Sequence, residues 1–223
     1  MRNNTKANIL RVALKLFMEK GYSNTSVSMI GKELGITKGN IVFHYKAKEE
    51  MLAELVNNLC DFQWCLMERE VADGKSSLLA YLLEIATMVS MAEENEVEKD
   101  IYVSAYTNPA SLEIIRKNDT KKAQMVFKDF CPGWTEQEFI NTENIVSGIE
   151  YSMFMTGNTQ QITLDERICR GLDAIMMLYG LPKELRQAKL QKVLDMDYRN
   201  LGKRILKEFY EYVTEECRQK AGS

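Results

Sequence analysis

Residues 37–40 read Thr-Lys-Gly-Asn, and each offers something a duplex DNA surface can use. The Thr37 hydroxyl can cap a helix, which leaves free amide N–H groups and the positive end of the helix dipole facing phosphate. Lys38 can reach a guanine edge or a phosphate, Asn40 can read adenine, and Gly39 lets the backbone come close. Ser26 is a second cap of the same kind. Catalytic patterns are missing: the chain has no HExxH, GxSxG or GxGxxG, and His44 is its only histidine. Gly74-Lys75-Ser76 looks like the end of a phosphate loop. The first glycine such a loop needs falls on Arg69 and no strand precedes it, so the segment reads as a turn and a cap. Cys60, Cys65, Cys131, Cys169 and Cys217 form no CxxC pair and read as reduced, mostly buried thiols. No enzyme, metal site or cofactor is expected.

A helix-turn-helix would position these residues. It needs two short helices crossing steeply, a small residue where they touch, a glycine in the turn and apolar pins to a third helix. Gly31 fits the contact, Gly35 the turn, and Ile30, Leu34, Ile36 and Ile41 the pins. An amphipathic helix over 5–20, carrying Ile9, Leu10, Ala13, Leu14 and Phe17 on one face, supplies the support. Short helices follow over 27–34 and from 37 to about 43.

These spacings resemble a known pattern. Gly21-Tyr22, Thr25-Ser26-Val27, Ile30-Gly31, Gly35-Ile36-Thr37-Lys38-Gly39, Ile41-Val42-Phe43-His44-Tyr45 and Lys48-Glu49-Glu50-Met51 match, in register, the DNA-binding head of the tetracycline-repressor (TetR/AcrR) family of bacterial regulators. The resemblance covers residues 5 to about 55. It implies phosphate contacts from Ser26, Thr37, His44 and Lys48, and base contacts from Lys38, Gly39 and Asn40. The family usually carries an aromatic where this chain has Val42, so Phe43 or Tyr45 is expected to take that ring's place at the DNA. Gly31 stands where alanine is usual.

Charge agrees with one anionic partner at one end. Residues 1–48 hold nine Lys and Arg against two acids, although the whole chain is at −3. Few glycines, three prolines and scarce β-branched alternation predict an all-α chain. A helix-turn-helix domain over 1–47 is expected to lead into a helical ligand-binding and dimerisation domain over 48–223. Helices are predicted over 48–72, 76–92, 96–106, 109–130, 136–156, 165–180, 182–195 and 198–217. Carboxylates along these helices read as solvated faces. No apolar run long enough for a membrane span or a secretory signal is present, which points to the cytoplasm.

The body's methionines and aromatics are core by spacing, and the resemblance implies a ligand cavity among them. Trp64, Met67, Met88 and Tyr102 are candidates to line it, with Tyr106, Met125, Tyr151 and Met155. The expected ligand is small and apolar or aromatic. Helices 136–156 and 165–180 are apolar on more than one face. Ile145, Ile149, Met153, Ile175, Met176 and Tyr179 are therefore expected at a homodimer interface, unless helices 182–217 cover them within one chain. The sequence thus points to a dimeric repressor that binds a palindromic duplex operator and is released by ligand. The alternatives are a constitutive dimeric regulator without ligand and a helical adaptor whose head contacts protein.

Overall fold

The computed structural model describes residues 2–157 and 161–222, with side chains over 5–157 and 161–215. Every helix or strand among the described residues is an α-helix. The head comprises α1 (Arg2–Lys20), α2 (Val27–Leu34) and α3 (Lys38–His44). The body comprises α4 (Lys48–Ala72), α5 (Ser77–Glu94), α6 (Glu96–Thr107), α7 (Pro109–Phe127), α8 (Glu136–Met155), α9 (Leu164–Leu178), α10 (Lys183–Leu194) and α11 (Tyr198–Gly222).

Local chemistry sets the ends. Asn108 accepts from the Ser111 N–H with Pro109 in the first turn of α7, and Thr135 and Thr163 form complete capping boxes with Glu138 and Glu166. Helix α7 stops at Phe127, short of the predicted 130. The Phe130 and Cys131 N–H groups turn back to the Phe127 carbonyl instead of continuing the helix.

Helix α5 is buried along most of its length and packs against α4, α6, α8, α9, α10 and α11. Helix α10 lies on α9, tied by Arg186 to Asp173 at 2.7 Å. Helix α11 runs back past α5 and packs along α1. Its Phe209 and Val213, with Phe62 of α4, belong to the same core as Ile9, Phe17 and Ile30 of the head. Helices α10 and α11 therefore leave the outer face of α8 and α9 uncovered, where Ile145, Met155 and Met177 stay exposed. Among the cysteines, Cys60 and Cys131 are buried as expected, Cys169 is half-buried and Cys65 is exposed; the Cys217 side chain lies outside the described residues.

The crossing of α2 and α3 depends on two glycines. Gly35 takes φ +66°, a left-handed conformation that closes α2 and lets the Ile36 N–H donate to the Gly31 carbonyl at 3.0 Å. A Cβ at Gly31 would lie 2.8 Å from the Ile36 carbonyl oxygen and 3.3 Å from Ile41 Cδ1. The first contact is backbone and cannot swing aside. Here the usual family alanine would not fit without moving the turn. Gly31→Ala should thus destabilise the head by about 1–3 kcal/mol despite its better helix propensity. Urea unfolding checks this; an unchanged midpoint would show that the crossing has slack.

Candidate nucleic-acid interface and body cavity

Helix α3 presents its first turn outward. Thr37 caps it, accepting from the Asn40 N–H at 3.3 Å while its hydroxyl donates to Asn40 Oδ1 at 2.9 Å. That second bond fixes the Asn40 amide and leaves its NH2 edge turned toward solvent chemistry. Thr37, Lys38, Gly39 and Asn40 are all exposed, and Ser26 caps α2 nearby, accepting from the Met29 N–H. Ile41 is fully buried and pins the helix to the head core. The arrangement is one exposed helical turn carrying donors and a cation, anchored from behind.

Aromatic placement resolves one expectation. Phe43 is 65% exposed, with Val42 beside it, whereas Tyr45 is buried and its hydroxyl donates to Glu54 Oε2 at 3.0 Å. The exposed ring on this face is Phe43; Tyr45 is a core group and is corrected as a DNA contact. His44 is half-buried, its ring edge-on to Phe43 at 5.2 Å.

Lys48 is half-buried beside the α1–α2 turn. Its ammonium donates to the Tyr22 and Thr25 carbonyls at 2.6 and 2.8 Å and lies 3.9 Å over the Tyr22 ring. Burial holds it below the usual lysine value. Lys48 fastens the start of α4 to the α1–α2 turn through these two carbonyls. Lys46, which the sequence reading did not single out as a contact, is exposed just after α3. Asp100 of α6 grips the same turn: it accepts from the Ser23 N–H at 2.7 Å and from the Ser23 hydroxyl.

Two small adjoining cavities, of about 50 and 40 Å³, lie in the body. Both are lined by Leu59, Gln63, Glu84, Met88 and Tyr102. Of the eight ligand-contact candidates, Met67, Met88, Tyr102 and Tyr106 line them. Trp64 instead donates to Asn118 Oδ1 at 2.6 Å, and Tyr151 packs on the core away from them. Met125 and Met155 are exposed on the surface, where the amphipathic turn of each helix places them. Of the dimer candidates, Met153, Ile175, Met176 and Tyr179 are buried within the chain, and Ile149 packs partly against its core. These four are thereby corrected as surface contacts, because α5, α8 and α9 already cover them. Ile145 remains, 56% exposed, alongside Met155, Met177 and Leu178.

The sequence reading missed the charges inside the body. Lys122 is fully buried, with Glu84 at 2.6 Å, Asp119 at 3.8 Å and Gln63 Oε1 at 3.3 Å. Burial disfavours its charge, but Glu84 and Asp119 outweigh this and hold it above the usual lysine value. Glu143 and Glu150, 2% and 5% exposed, accept from the hydroxyls of Tyr179 and Tyr106. Burial, reinforced by Asp119, pushes Glu143 up to about 8 against the opposing pull of Tyr179 and Lys122. Burial, then Asp119 and Glu143, raises Glu150 well above the carboxylate range. A signal existed for Glu84, which interrupts the apolar run Leu82-Leu83-Glu84-Ile85-Ala86; Glu150 shares its helix with Asn144, Gly148 and Ser152, so its burial was not legible from the sequence.

The profile of the tetR family of bacterial regulatory proteins matches residues 9–55. YuxN of Bacillus subtilis (strain 168), an HTH-type transcriptional regulator, is 32% identical over 104 residues, 47% of this chain and 34% of that protein. The alignment thus spans about a third of the relative's length. In solved structures, RolR in complex with resorcinol shares the fold with TM-score 0.64 at 11% identity, over 85% of this chain and 94% of that one. Thermus thermophilus FadR, a TetR-family repressor in complex with lauroyl-CoA, does so with TM-score 0.58 at 16% identity, over 80% and 96%. No helix among the described residues is long and apolar enough to cross a membrane.

The buried acids make stability depend on pH in a definite direction. A carboxyl that holds its proton more tightly when folded makes the folded state bind more protons than the unfolded one. Stability then falls as pH rises from the ordinary value of 4.5 through about 8 for Glu143. The melting temperature should be lower at pH 8 than at about pH 5.5, by roughly 2–4 °C for each kcal/mol lost. Glu143→Gln should flatten that slope and raise the melting temperature at pH 8. A native protein that melts higher at pH 8 would contradict the assignment.

Proposed function

We propose, from the premise that this chain carries a TetR-family head on a body of the TetR-regulator fold, that it is a sequence-specific DNA-binding transcriptional regulator, a repressor released by a small molecule bound in its body. The observation that carries the reading is the exposed first turn of α3, with Lys38, Gly39 and Asn40 presented together and Ile41 anchoring them. Lys38 and Asn40 take base edges in the major groove. Ser26 and Thr37 bring helix N-termini to phosphates, and Phe43 packs against the duplex.

Two helices link cavity to head. Helix α4 begins at Lys48 on the α1–α2 turn and carries Leu59 and Gln63 to the cavities, about 17–23 Å along the helix. Helix α6 holds Ser23 through Asp100 and lines a cavity with Tyr102 and Tyr106, within about 9 Å along the helix. A ligand that shifts α6 against α4 pulls on one turn from both sides. Its effect on DNA equals its differential affinity for the two head positions, typically about 1–3 kcal/mol, and DNA must weaken the ligand by the same factor.

Two copies pair through the outer face of α8 and α9. Ile145, Met155 and Met177 supply apolar surface, and Gly148, with open space beyond its Cα, permits close approach. Pairing would set two heads about 34–36 Å apart for successive major grooves.

Selection from random duplex DNA tests the central reading. The expected result is a palindromic site whose preference relaxes with Lys38→Ala or Asn40→Ala, by roughly 1–3 kcal/mol per lost base contact. Enrichment of nothing would refute it and favour an adaptor whose head contacts protein. For the dimer, Ile145→Glu should give monomers by light scattering and lower operator affinity at least tenfold. A native protein that is monomeric at micromolar concentration would contradict the pairing.

A further inference from the structure

The inside of the body is acidic, and this constrains what it can hold. The smaller cavity is walled by α4, α5, α6, α7 and α8, and its polar lining includes Glu84, Asp119, Glu150, Tyr81 and Tyr106. Lys122 is the base that faces these acids, and it is committed to Glu84 and Asp119. Among the described residues, Glu150 has only the Tyr106 hydroxyl, at 2.8 Å, for its two oxygens. A carboxyl in that position stays protonated unless a cation arrives.

A second feature points to a ligand independently. Tyr81 is 3% exposed, lines the cavity, and its hydroxyl has no hydrogen-bond partner among the described residues. An orphaned buried hydroxyl is costly and is kept where something else satisfies it. It lies close enough to Glu143 and Glu150 for their charges to act on its proton. An acceptor at Tyr81 and a carboxyl at Glu150 converge from α5 and α8. Around them are the faces of Tyr102 and Tyr106, with Phe154 stacked on Tyr102 at 5.2 Å. Aromatic faces favour a cation and an apolar stem alike.

We propose that the body cavity binds a lipophilic organic ammonium ion, its nitrogen donating to Glu150 and the Tyr81 hydroxyl and its apolar stem running toward Met88 and Leu59. The inference rests on the ligand-responsive reading above and narrows the small apolar or aromatic ligand expected from the sequence to one that carries a cationic nitrogen. The cavities are small, so the stem enters by displacing Met88, which walls both; methionine reorients at little cost.

The test compares 2-phenylethylammonium with propylbenzene, which replaces the ammonium by a methyl group of the same size. Both are titrated into the full-length protein by calorimetry at neutral pH. The ammonium should bind at least tenfold tighter than propylbenzene. Glu150→Gln should remove most of that preference, and Tyr81→Phe should reduce it at least threefold. Tyr81→Phe leaves the ring in place and keeps the test valid if the Glu150 variant fails to fold, which melting curves reveal. Propylbenzene binding as tightly as the ammonium would overturn the inference. So would a preference unmoved by both variants, or an ammonium that does not bind at concentrations up to about 1 mM. Operator affinity measured without ligand depends on the regulator reading alone. A protein that selects DNA but fails this comparison keeps its function and loses only the proposed ligand.

Discussion

Helices α1 to α3 do not close a core by themselves. Phe62 from α4 and Phe209 and Val213 from α11 sit in the same apolar cluster as Ile9, Phe17 and Ile30, with the Phe62 and Phe209 rings 5.6 Å apart. The head is finished by side chains that belong to helices rooted in the body. Apolar burial of this kind is the dominant stabilising term in a fold, so the head cannot reorient without dragging or breaking those contacts. Lys48 and Asp100 add polar fastenings at one turn, from α4 and α6 respectively. Any account of communication between cavity and DNA surface starts from this shared core.

The body departs from ordinary packing in a different way. A buried Lys122, two buried glutamates and a hydroxyl without a partner raise the free energy of the folded state relative to an apolar core of the same shape. Tyr81 and Glu84 lie on α5, Asp119 and Lys122 on α7, and Glu143 and Glu150 on α8, and these groups gather inside the body. Such local conflicts concentrate where a molecule binds functionally. The thick apolar frame of α5 is what lets the rest of the body tolerate them.

Much of this was legible in the sequence because it is local. Gly35 at positive φ, the caps at Ser26, Thr37, Asn108, Thr135 and Thr163, and the full run of α4 follow from residue type and spacing over a few positions. What the sequence hid is which face of a helix meets which neighbour. Tyr45 looks like a surface contact until the head core takes its ring and Glu54 its hydroxyl. Ile175, Met176 and Tyr179 look like an interface until α5 and α8 fill the same space. Glu143 and Glu150 look solvated until α6 and α9 bring up their tyrosines. Each of these depends on contacts between residues far apart in the chain, which no periodicity encodes.

The central claim is that head and body share one cooperative core. Native-state hydrogen exchange read at single amides tests it most directly. Amides of α1 and those of α11 around Phe209 and Val213 should open together, with the same free energy and the same dependence on denaturant. A head whose amides exchange at a distinctly lower free energy, while α11 keeps the protection of the body, would contradict it.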